Sequence, residues 1–132
     1  MIALDTNVIV RFLVRDDAAQ AEAVYVRLKR AESDRETLYV PLLVLLEVIW
    51  VLESAYGKTR SEILGSIDDM KRMPVFTFER DEVVQALLTD GRKSKADFAD
   101  ILIAHAADAN GCEGGLTFDK KAASLSFFQI LR

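Results

Sequence analysis

Five carboxylates occupy positions that ordinary solvation explains poorly: Asp5, Glu47, Asp97, Asp100 and Asp119. Asp5 directly follows the apolar run Met1 to Leu4, and Asp119 follows Leu116-Thr117-Phe118, so both stand where a short strand stops. Glu47 interrupts the apolar stretch Leu42 to Leu52 and has apolar neighbours all round it on a helix. It is therefore expected to be buried, and a buried carboxylate without a partner takes up a proton or recruits a cation. Asp97 and Asp100 lie three residues apart at the start of a helical segment, which places them on one face. Each acid also has a plainer role. Asp5 and Asp119 suit capping, Asp97 suits the positive end of a helix dipole, and Glu47 could be the one polar edge of a buried helix. Asp100 lies a turn further in, before Ile101-Leu102-Ile103-Ala104, where capping explains it less well.

Convergence gives the set its chemical meaning. Two strand-end acids and two helix-borne acids share one rim if the strands run parallel with helices between them. A pocket of carboxylate oxygens suits one or two Mg²⁺ or Mn²⁺ ions and not Zn²⁺, and such cations commonly bind phosphate as well. Without a cation, mutual repulsion should raise some of the pKa values.

The elements that must carry these residues follow from periodicity and punctuation. Residues 1 to 4 read as a strand. Helices are expected over Val8 to Val14 and Ala18 to Ala31, the second started by Asp16 and Asp17. A strand over Leu38 to Val40 leads through Pro41 into a helix from Leu42 to about Tyr56, stopped by Gly57. Thr59-Arg60-Ser61-Glu62 matches a capping box and opens a helix that uses Ile63, Ile67 and Met70 before Pro74. Val75 to Phe78 reads as a strand, Asp81 to Thr89 as a helix, and Asp90 to Lys95 as a loop. The helix from Ala96 to Asn110 puts Phe98, Ile101, Leu102 and His105 along one stripe, with His105 read as a core histidine. Strands over Gly114 to Phe118 and Phe127 to Leu131 close the chain. This alternation predicts an α/β fold, a three-layer α/β/α sandwich around a central, mostly parallel sheet, with ligands beyond the carboxyl ends of the strands.

Composition narrows the function classes. The 132 residues, 51% hydrophobic and 29% charged, fit a single domain over 1–132. One cysteine, Cys112, and one histidine exclude a disulfide framework and a Cys/His zinc site within one chain, and suit a reducing cytoplasm. Leu42 to Leu52 is too short to span a hydrocarbon core about 30 Å thick, and the N-terminus lacks the features of a signal peptide. The formal charge of −4 runs against a nucleic-acid binder, unless cations bound by the acids cancel it locally. Arg11, Arg15, Arg92, Lys93, Lys95, Lys120 and Lys121 flank the acid-bearing segments and are candidates for phosphate contact, or simply for a solvated face.

Taken in order, Leu4-Asp5-Thr6-Asn7-Val8, Glu47, Asp97-Phe98-Ala99-Asp100 and Thr117-Phe118-Asp119 resemble the motifs of PIN domains, and more narrowly of VapC-type toxins of type II toxin–antitoxin systems. The resemblance covers essentially the whole chain. It implies that Asp5, Asp100 and Asp119 are metal-facing catalytic acids, that Glu47 is a further acid contacting metal directly or through water, and that Asp97 is auxiliary. It also implies that Thr6, Asn7 and Thr117 orient the acids. The implied activity is metal-dependent endonucleolytic cleavage of RNA. The implied partners are a small VapB-like antitoxin and a second copy of the chain, giving a homodimer and a heterotetramer or larger assembly with the antitoxin. Three other readings stay open: an RNA-processing nuclease outside any toxin pair, a non-catalytic protein-binding module, and phosphotransfer through Asp5, against which Asn7 counts.

Overall fold

The computed structural model describes residues 1–132, which divide into two compact units, Met1–Glu79 and Arg80–Arg132. The first unit runs β1 (Ile2–Ala3), α1 (Thr6–Val14), α2 (Ala18–Ser33), β2 (Leu38–Val40), α3 (Leu42–Ser54), α4 (Arg60–Lys71) and β3 (Phe76–Phe78). Its three strands pair in the order β1-β2-β3, all parallel, with Ile2 opposite Leu38 and Leu38 opposite Phe76. Parallel neighbours need crossover connections, and here helices supply them. Leu38, Val40, Phe76 and Phe78 are buried, as is usual for strands covered on both faces.

The second unit runs α5 (Asp81–Lys93), α6 (Phe98–Ala109), β4 (Gly115–Thr117), a 3-10 turn at Ala122–Ser124 and β5 (Phe128–Ile130). β4 and β5 pair parallel, Gly115 opposite Phe128. A Cβ on Gly115 would stand 2.8 Å from the Phe128 ring, so a side chain there would displace it. The architecture is α/β with parallel strand pairing throughout, as the alternation of elements predicts. No helix is long and apolar enough to cross a membrane.

Local chemistry fixes the helix ends. Asp5 caps α1 by accepting from the Val8 amide at 3.1 Å, and Asp17 caps α2 through Gln20 at 3.0 Å. The Thr59–Glu62 capping box is complete: Thr59 Oγ1 accepts from the Glu62 amide at 3.1 Å and Glu62 accepts from the Thr59 amide at 3.0 Å. The Thr59 amide first, and the Thr59 side chain second, favour the charged Glu62 carboxylate, so Glu62 titrates below its ordinary value.

Two expectations need correction. The stretch Asp90 to Lys93 is the last turn of α5 and not a loop. Gly91 is buried in that turn, Asp90 reaches His105 on α6 with Oδ2 and Nε2 2.5 Å apart, and Arg92 and Lys93 suit the negative end of the helix dipole. Tertiary packing outweighs the turn-forming composition. Glu47 is exposed, not buried. α3 buries Leu45, Val48, Ile49 and Leu52, and the opposite face, with Leu43, Glu47 and Trp50, points to solvent. Composition hides this, because the solvent face is nearly as apolar as the core face.

Candidate functional site

β4 ends at Thr117, and the chain then turns sharply because the Thr117 hydroxyl accepts from the Asp119 amide at 3.0 Å. Asp119 Oδ1 in turn accepts from the Lys121 amide at 2.9 Å, so two successive side chains hold the turn that presents the Asp119 carboxylate. Asp97 is the N-cap residue of α6 by backbone, yet its carboxylate makes no capping hydrogen bond. It is free to face Lys121 instead, whose Nζ lies 3.0 Å from Asp97 Oδ1. Asp100 follows in the first turn of α6, half-buried beside them.

These three acids come together: one carboxylate oxygen from each of Asp97, Asp100 and Asp119 lies within 4.8 Å of the others. The crowding has an electrostatic signature. Asp100 is pushed above the ordinary aspartate pKa, first by partial burial and then by the charges of Asp97 and Asp119, with Lys121 acting in the opposite sense. Carboxylates that raise one another's pKa are the arrangement a divalent cation relieves, and a donor set made only of oxygen fits Mg²⁺ or Mn²⁺. Lys121 neutralises only one corner, since both it and Asp97 remain more than half exposed, at 56% and 58%. By sequence Lys121 is a candidate phosphate contact only. The signal for its bridge was the turn at Thr117–Asp119, which brings residue 121 back towards the start of α6.

The other candidates lie in the first unit. Asp5 stands at the carboxyl end of β1, exposed, and serves as the α1 cap. Thr6 and Asn7 open α1, Thr6 half-buried and Asn7 exposed. Glu47 sits midway along α3 on its solvent face. Arg11 is committed within its own unit: Nε donates to Gln20 at 2.7 Å, and Nη1 lies 3.1 Å from Asp16 and 3.2 Å from the Tyr56 hydroxyl. Tyr56 donates to Asp16 at 2.7 Å, which closes the triangle. His105 is half-buried and bound to Asp90, consistent with a packing role between α5 and α6.

A cavity of about 540 Å³ is lined by residues that precede β2 and β3, among them Arg35, Thr37, Pro74 and Val75, and by none of these acids. Ligands of open parallel sheets gather instead beyond the carboxyl ends of strands, where Asp5 and Asp119 stand in their respective units.

A PIN-domain family model matches residues 2–127. The chain is also similar to a VapC ribonuclease of Aquifex aeolicus (strain VF5), 24% identical over 127 residues that cover 96% of this chain and 93% of the relative.

Proposed function

The chain belongs to the PIN-domain family, and from that premise we propose that it is a divalent-metal-dependent endoribonuclease, the toxin of a toxin–antitoxin pair, working in the cytoplasm as a single nuclease domain over residues 1–132. The observation that carries the reading is the cluster Asp97, Asp100 and Asp119, whose ligand oxygens approach within 4.8 Å in a chain matched by the family from residue 2 to residue 127. Similarity to a VapC ribonuclease supports RNA as the substrate and an antitoxin as partner.

Asp100 and Asp119 are the residues of this cluster that would hold the cation, with Asp97 auxiliary and restrained by Lys121. By the family motifs they match, Asp5 is a further ligand acid and Glu47 a ligand or the group that orients water. A bound Mg²⁺ or Mn²⁺ supplies Lewis-acid stabilisation of the phosphate and a more acidic water. The protein's own part is positioning. Thr117 and the Lys121 amide fix the Asp119 carboxylate, and the first turn of α6 fixes Asp100 against it. Hydrolysis adds water across one P–O bond, so no side chain needs to become covalently attached. The solvent exposure of Glu47 suits a residue that meets a macromolecular substrate.

The test compares the native chain with Asp5→Asn and Asp100→Asn on structured RNAs, with Mg²⁺, with Mn²⁺ and with chelator. We expect cleavage by the native chain with metal only, and a loss of more than about a hundredfold in each variant. Equal cleavage by all three proteins would overturn the reading. The toxin role is checked by expression in a bacterial host: growth should stop with the native chain, continue with Asp100→Asn, and recover when the antitoxin is co-expressed. Harmless expression of an active native chain would instead assign it to RNA processing.

A further inference from the structure

We propose that Lys121 is a built-in counter-cation of the acid cluster, a positioning residue that holds the Asp97 corner until a divalent ion displaces it, and so sets how tightly the cluster takes that ion; the inference rests on the metal-dependent reading above. Lys121 meets two of the three acids directly. Its Nζ lies 3.0 Å from Asp97 Oδ1, and its amide donates to Asp119 Oδ1 at 2.9 Å. The backbone contact anchors residue 121 beside the cluster, so the turn after β4 delivers the ammonium to the acids.

Asp97 shows what the bridge displaces. Its backbone is that of an N-cap, as for Asp5 and Asp17, yet those two accept from helix amides at 3.1 Å and 3.0 Å and Asp97 does not. A carboxylate that forgoes a favourable capping bond is held elsewhere, and the partner of Asp97 is the Lys121 ammonium. The influence reaches the third acid as well. Lys121 lowers the pKa of Asp100, against burial and the charges of Asp97 and Asp119, which is the sense in which a bound cation acts. A lysine does not replace the metal. It brings one charge to three carboxylates and has no coordination position to offer a phosphate or a water. Its effect is to stabilise the cluster before the metal arrives.

That stabilisation has a necessary counterpart. A divalent ion on the Asp97 carboxylate, at about 2.1 Å, would stand beside the ammonium, and like charges so close repel, so the bridge belongs to the metal-free state. A contact that the ligand must break lowers the affinity for that ligand by as much as it stabilises the free protein. Removing the ammonium therefore destabilises the metal-free chain and tightens metal binding by the same factor. The pair is more than half exposed, which makes the factor modest, about two- to fivefold.

The probe is Mn²⁺ alone, titrated calorimetrically into the native chain, Lys121→Met, Lys121→Arg, Asp97→Asn and the double variant Asp97→Asn/Lys121→Met, with thermal melts of each beside it. We expect Lys121→Met to bind Mn²⁺ about two- to fivefold more tightly and to melt below the native chain without metal, the gap closing as Mn²⁺ saturates. Lys121→Arg should keep the native affinity. In the Asp97→Asn background, where the ammonium has lost its anchor, Lys121→Met should change the affinity by less than about 1.5-fold. Equal or weaker Mn²⁺ binding in Lys121→Met would overturn the inference and leave Lys121 a phosphate contact or a structural residue. The same gain in both backgrounds would also overturn it, by assigning the effect to the general field of the protein. Either result, with Mn²⁺ still bound by the native chain, leaves the nuclease reading standing. The expected pattern in a chain that cuts no RNA would do the reverse, and a native chain that takes up no Mn²⁺ would overturn both.

Discussion

Asp100 is held in an environment that disfavours its own charge, and this has consequences that can be measured without substrate. Partial burial, then the Asp97 and Asp119 carboxylates, raise its pKa in the folded chain above the ordinary value of about 3.9. The folded state therefore binds the proton more tightly than the unfolded state, so stability falls as pH rises from about 4 through the raised value, and stays reduced at neutral pH. Asp100→Asn removes that penalty. We expect the variant to melt above the native chain at pH 7 in the absence of divalent metal, with the difference shrinking below about pH 4, while RNA cleavage is lost. A lower melting temperature at pH 7 would contradict the electrostatic account. Asp16 behaves in the opposite sense. The Tyr56 hydroxyl first, and Arg11 second, hold its pKa below the ordinary range, so its stabilisation is present above the unfolded pKa and lost as pH falls through the folded one. Tyr56→Phe should accordingly lower the melting temperature at neutral pH and leave it nearly unchanged in strong acid, as a pH series of thermal melts would reveal.

At the scale of elements, stability should depend on the caps that the sequence displays openly. Thr59→Ala removes the hydroxyl that accepts from the Glu62 amide, and should cost about 1 kcal/mol in a denaturant melt. It should also let Glu62 titrate somewhat nearer its ordinary value, since the Thr59 side chain lowers it, while the larger effect of the residue 59 amide is kept. Thr59→Ser should retain most of the stability. This cap was legible because its information is local: a Thr and a Glu three residues apart are sufficient. The strand-end placement of Asp5 and Asp119 was legible for a similar reason, since a short apolar run must stop somewhere and an aspartate marks the place. The end of α5 was not. Asp90-Gly91-Arg92-Lys93 has the composition of a loop, and it is helical because Gly91 is buried and Asp90 meets His105, a partner fifteen residues away. α3 failed differently. Leu43 and Trp50 read as core by hydropathy, so Glu47 looked enclosed, and only the buried positions Leu45, Val48, Ile49 and Leu52 reveal which face is inside. A uniformly apolar helix carries no periodic signal by which sequence alone could orient it. Within the acid cluster, the spacing of Asp97 and Asp100 was sufficient to pair them, whereas the approach of Asp119 and the Lys121 bridge needed the turn after β4.

For the whole molecule, a formal charge of −4 would make any cation bind weakly and non-specifically, so the proposed metal site must be distinguished from general neutralisation. Ligand binding to the folded state alone stabilises it by an amount set by concentration over Kd, about 2.7 kcal/mol at a hundredfold excess. Screening by monovalent salt depends only on ionic strength. Thermal melts in Mg²⁺ or Mn²⁺ should therefore rise well above melts in NaCl of equal ionic strength, with Mn²⁺ effective at lower concentration, in keeping with the usual affinity order for oxygen sites that admit both ions. Asp119→Asn should abolish the excess while leaving the response to NaCl intact, because one carboxylate among 21 acidic residues hardly changes the overall field but removes a third of the oxygen cluster. Chelator added to the metal-loaded native chain should return its melt to the metal-free value. If divalent and monovalent salts gave the same curve at matched ionic strength, the three acids of the second unit would be an ordinary charged surface, and the metal-dependent reading would lose its physical basis.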